Sequence, residues 1–116
     1  MHLSIAGNAN LDSLNEINSI NANVGGDFNF TNNDDLTITV DDPIFSSGVI
    51  VTGDFELTTV GNLTQAGTLD VAGSSQFNVL GDFTDTDNAN SSLASTVSLN
   101  VSGDIILGDG LSLIHI

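Results

Sequence analysis

A seven-residue pattern recurs four times in this chain, and that recurrence restricts the fold more than any other feature. Ala22-Asn23-Val24-Gly25-Gly26-Asp27-Phe28 is the first copy and Val49-Ile50-Val51-Thr52-Gly53-Asp54-Phe55 the second. Phe77-Asn78-Val79-Leu80-Gly81-Asp82-Phe83 and Leu99-Asn100-Val101-Ser102-Gly103-Asp104-Ile105 complete the set. The shared wording is apolar-x-Val-x-Gly-Asp-Phe/Ile. Its glycines are Gly26, Gly53, Gly81 and Gly103. They recur at intervals of roughly 22–28 positions, a spacing that marks solenoids, propellers and arrays.

Alternation of period two puts both apolar residues of each copy on one face of a short strand. Gly tolerates a positive φ and Asp satisfies turn backbone, so Gly-Asp reads as a corner. Strand, corner and strand, repeated in this way, predict an all-β parallel β-helix of about four coils of roughly 22–28 residues. Val24, Val51, Val79 and Val101 are expected to form one internal ladder. Phe28, Phe55, Phe83 and Ile105 form a second, at the ~4.8 Å strand spacing. An antiparallel β-sandwich with Gly-Asp hairpins is the alternative. A weaker 14-residue echo (Val49, Leu63, Phe77; Phe55, Leu69, Phe83) suggests two faces per coil.

Elsewhere the pattern is looser. Leu11, Leu14, Ile17 and Ile20 have helical spacing, but the surrounding asparagines favour a degenerate first coil. Leu36-Thr37-Ile38-Thr39-Val40 reads as a strand, and Thr84 to Ser95 as a projecting loop. The final Leu111-Ser112-Leu113-Ile114-His115-Ile116 matches the translation of a transposase adapter end used in DNA library preparation. The expected organisation is therefore a solenoid segment of a larger protein over 1–110, followed by adapter read-through over 111–116.

Charge narrows the chemistry. The chain has 15 Asp and Glu and neither Lys nor Arg, a formal charge of −15. Nucleic-acid backbones need cations to hold them, and anionic surfaces are repelled. Neutral glycans, basic proteins and cations remain as partners. There is no Cys, Trp or Tyr, so thiolate metal sites and aromatic sugar platforms have no material. With only His2 and His115, histidine catalysis is not expected. Carboxylate pairs Asp34/Asp35 and Asp41/Asp42 sit on adjacent residues that point to opposite faces, so neither converges for glycoside hydrolysis. Calcium is the better cofactor candidate: Asp82, Asp85, Asp87 and Asn88, and separately Asn32 to Asp35, collect hard oxygen ligands. Thr37-x-Thr39 and Thr84-x-Thr86 read as out of phase with the repeat, which argues against an ordered threonine face. No apolar run approaches the ~20 residues of a membrane helix.

The V-x-G-D-F wording, with Val60-Gly61-Asn62-Leu63-Thr64 and Gly67-Thr68-Leu69-Asp70-Val71-Ala72-Gly73 between copies, resembles the passengers of filamentous-haemagglutinin-like and autotransporter adhesins. That resemblance spans Val24 to Gly110. It implies a right-handed parallel β-helix, secreted to the bacterial cell surface, acting as a stalk or adhesive and carrying no catalytic residues. An unidentified host or surface ligand is the expected partner. Uncapped ends of such a stack can also template end-to-end self-association.

Overall fold

The computed structural model describes residues 1–39, 48–85, 91–106 and 111–115, with backbone alone at 14, 91–95 and 111–115. The described chain is all β, without helix, and its strands pair in parallel as a β-solenoid of about four turns.

Each turn has three faces rather than two. The first face stacks β1 (His2–Ile5), β3 (Ser19–Val24), β6 (Val49–Val51), β9 (Leu69–Val71), the start of β12 (Ser91–Val101) and β14 (Leu111–His115). The second stacks β2 (Ala9–Asn15), β4 (Phe28–Asn32), β7 (Phe55–Thr59), β10 (Ser75–Val79) and the end of β12. The third joins the start of β3 to β5 (Leu36–Ile38), β8 (Leu63–Gln65), β11 (Phe83–Asp85) and β13 (Ile105–Ile106). The helical spacing over 11–20 thus resolves into strand β2 and the entry to β3. Thr84 and Asp85, expected in a loop, belong to β11.

Register corrects the expected ladders. Val24 pairs with Val51 and Val51 with Val71 on the first face. Val79 pairs with Thr59 and Val101 on the second. Phe28 pairs with Phe55 on the second face, whereas Phe83 pairs with Leu63 and Ile105 on the third. The four copies of the motif therefore occupy two different corners, two copies at each. One coil takes about 20 residues, the separation of Asp54 from Ser74 and of Asn62 from Asp82 on adjacent turns. The longer stretch from Gly53 to Gly81 is one coil plus one face. The 14-residue echo is likewise two faces of three, since Val49, Leu63 and Phe77 fall on three separate sheets.

The core is the set of inward residues from all three faces, and Phe28, Phe30, Leu57, Leu63, Leu69 and Val71 are among its fully enclosed members. Phe28 and Phe55 stack with centroids 5.3 Å apart, and Phe77 meets Phe55 edge-on at 5.6 Å. Such pairs add roughly 0.5–1.5 kcal/mol beyond area burial. Ring stacking across turns thereby reinforces the backbone ladder.

Candidate functional site

The corners show what the repeated Gly-Asp does. At the first corner the backbone N–H of Asp27 donates to Asn8 Oδ1 (2.8 Å), that of Asp54 to Asp27 Oδ1 (2.9 Å), and that of Ser74 to Asp54 Oδ1 (2.8 Å). At the second corner the N–H of Asn62 donates to Asp35 Oδ1 (2.7 Å), that of Asp82 to Asn62 Oδ1 (2.8 Å) and that of Asp104 to Asp82 Oδ1 (2.9 Å). Flanking N–H groups stay in the main-chain ladder: Gly53 N–H donates to Gly26 O and Phe55 N–H to Ser74 O. At these two corners one N–H leaves that ladder at each of the bends named, and an Asx oxygen of the adjacent turn receives it.

The glycine is required for the same reason. A Cβ on Gly26, Gly53 or Gly73 would fall on the Oδ1 of Asn8, Asp27 or Asp54, and one on Gly81 or Gly103 on that of Asn62 or Asp82. None of these glycines has a positive φ. The turn conformation expected from the sequence is not what selects Gly; the neighbouring turn's side-chain oxygen fills the space.

These bonds also account for the calcium candidates. Asp82 lies exposed at the second corner with Oδ1 engaged by Asp104, while Asp85 is buried on the inward side of β11. The two are not brought together, and Asp87 and Asn88 lie outside the described residues. In the other acidic stretch Asn32 is fully buried. Its Oδ1 accepts from Ile17 N–H and its Nδ2 donates to the carbonyls of Ile17 and Asp34. Asp34 Oδ1 accepts from Asp35 N–H. Among the described residues no three His, Cys, Asp or Glu side chains gather at a metal-holding distance. His2 Nδ1 bonds Asn21 Oδ1 across β1 and β3. Asp41 and Asp42 are outside the described residues.

A groove of about 670 Å³ runs along the solenoid axis, across the strands of the second face beside the first corner. Two rows of side chains wall it. The corner row is Asn8, Asp27, Asp54, Ser74 and Thr96; the face row is Asn10, Asn29, Glu56, Gln76 and Ser98. Successive members of each row are one rung apart, ~4.8 Å. Farther from the corner the same face carries Thr31, Thr58, Asn78 and Asn100 in register, and Asn78 Nδ2 donates to Thr58 Oγ1 at 3.3 Å. Glu56 is the one charged residue in these two outward rows of the face itself. Sequence reasoning missed this groove, because its rows emerge only once the true coil length is known.

The threonines also need correction. Thr37 pairs with Thr64 and Thr64 with Thr84 on the third face, so they form a continuous outward row. The stretch from Thr37 to Thr84 is two coils, in phase with the true repeat. A single file of hydroxyls is present, extended by Ser19 at one end and ending on Ile106 at the other.

Comparison with protein-family models, with characterised proteins and with solved structures finds no match for this chain. The fold and the groove therefore carry the functional argument.

Proposed function

We propose that this chain is a non-catalytic structural and adhesive segment of a bacterial extracellular or cell-surface repeat protein. The observation that carries the reading is the use of the acidic residues. Asp27, Asp35, Asp54 and Asp82 each give one carboxylate oxygen to a backbone N–H of an adjacent turn. Four of the chain's 15 acidic residues thus serve as acceptors that join one turn to the next, a structural use of carboxylates that supports a shaft. The wording of the repeat, which resembles surface adhesin passengers, agrees with a shaft whose side walls meet a ligand.

One observation favours a second reading, a fragment of a glycan-active enzyme. Asp54 at the corner and Glu56 on β7 wall the same groove, and glycosidases work with a pair of carboxyls flanking the scissile bond. Both side chains are exposed, however, and Asp54 Oδ1 is engaged by the Ser74 N–H in the corner ladder. Incubation with a panel of polysaccharides separates the readings. The structural reading expects no new reducing ends, and retention of surface-displayed chain on glycan- or protein-coated supports. Turnover that disappears in Glu56→Gln would establish the enzyme instead.

A further inference from the structure

The groove beside the first corner has a chemistry and a period of its own, and we propose that it binds an extended, neutral, β-linked glycan chain lying along the solenoid axis. This inference rests on the adhesive reading and names the ligand class for it.

Three observations select that ligand. The first is period. Asn10, Asn29, Glu56, Gln76 and Ser98 repeat one polar side chain per rung along the groove, so an occupant that makes similar contacts at each rung must repeat at about the ~4.8 Å rung spacing. Fully extended β-1,4-linked hexoses advance by close to that distance per sugar. The second is bonding capacity. Asparagine and glutamine both donate and accept, serine and threonine do the same, and Asp and Glu accept. A surface of this kind suits hydroxyl groups, which also do both. The corner row contributes too: Asp27 and Asp54 line the groove, and only one oxygen of each is used in the corner ladder.

The third observation is charge. The chain contains no Lys or Arg, so a sulfated or uronic polymer meets carboxylates and no compensating cation. A neutral polymer meets no such penalty. The groove is open rather than an enclosed pocket, so a single sugar gains little there. Affinity grows as successive sugars engage successive rungs, each later contact being intramolecular.

The test uses the full chain with soluble β-1,4-linked glucose oligomers of two to six units, titrated by calorimetry, and with insoluble cellulose in a pull-down. The expected result is affinity that rises by about tenfold or more from the shortest oligomer to the longest. Asn29→Ala combined with Gln76→Ala should lower the affinity for the six-unit oligomer about tenfold while the melting temperature is unchanged. Thr64→Ala, on the third face, should leave it unaltered. Absence of neutral-glycan binding, with adhesion to protein-coated supports intact, overturns the glycan assignment and leaves the adhesive reading standing. Binding that ignores both groove substitutions overturns the site. Binding with cleavage of the oligomer supports the groove and overturns the non-catalytic reading instead.

Discussion

Asp27 Oδ1 accepts the backbone N–H of Asp54, 27 residues later, at 2.9 Å, and it does so in the space that Gly53 leaves by having no side chain. Glycine and aspartate are thus two halves of one contact between turns: the glycine admits the oxygen of the turn before, and the aspartate offers an oxygen to the turn after. Gly26-Asp27, Gly53-Asp54 and Gly81-Asp82, and Gly61-Asn62 with Asn in place of Asp, each take part in two such contacts.

That relationship predicts coupling. Gly53→Ala should destabilise the fold by about 2–3 kcal/mol, because a Cβ there meets both Asp27 Oδ1 and the Gly26 backbone. Asp27→Ala should cost about 1 kcal/mol for the lost acceptor, since water can reach the exposed corner. In the double variant the side-chain part of the clash is gone, so the combined loss should fall short of the sum by about 1 kcal/mol. Asp27→Asn should be nearly neutral, because Asn8 and Asn62 already perform the same task. Urea denaturation of the four variants measures all of this.

Two leucines on either side of a Gly-Asx corner should behave oppositely. Leu63 is fully buried on the third face, whereas Leu80 is 60% exposed at the second corner. Leu63→Ala should cost about 2–5 kcal/mol, and Leu80→Ala should stay within about 0.5 kcal/mol of the parent. Phe83→Asp, which places an unpaired charge in the core beside Phe77, should prevent folding altogether. Circular dichroism and thermal melts read each outcome.

Salt should stabilise this chain. Asp27 and Asp54 occupy successive rungs, and two unit charges ~5 Å apart in a water-like medium repel by about 1 kcal/mol. With no Lys or Arg anywhere, added ions screen repulsion and weaken no Lys or Arg ion pair. Raising sodium chloride from ~10 mM to ~500 mM should lift the melting temperature by several degrees. A fall in melting temperature would mean that attractive electrostatics hold the stack.

Much of the fold was legible because alternation and Gly-Asp corners are local signals. Val-x-Gly-Asp-Phe announces strand, corner and strand wherever it stands. It does not announce which corner it makes. Val51-Thr52-Gly53-Asp54-Phe55 and Val79-Leu80-Gly81-Asp82-Phe83 have the same wording but occupy different corners. The rungs that would have revealed the shorter coil carry degenerate forms, Val71-Ala72-Gly73-Ser74-Ser75 and Thr59-Val60-Gly61-Asn62-Leu63. Asn62 preserves both the N–H donor and the side-chain acceptor, and Ser74 the N–H donor, while both erase the resemblance. The groove was illegible for that reason: without register, Asn29, Glu56 and Gln76 are scattered polar residues, and with it they are one row.

Both the corner ladders and the groove depend on register, and disulfide trapping reads register in a chain that has no native cysteine. Thr58 and Asn78 are rung partners with outward side chains, and a Cα separation of ~4.8 Å is within disulfide reach. Glu56 and Thr84, as far apart in sequence as Gly53 and Gly81, would be partners if the spacing of the second and third motif copies were the coil. Instead they stand on different faces. The Thr58→Cys/Asn78→Cys variant should oxidise to an intramolecular disulfide in the folded state, and Glu56→Cys/Thr84→Cys should not. Closure of the second pair and not the first would contradict the three-faced coil.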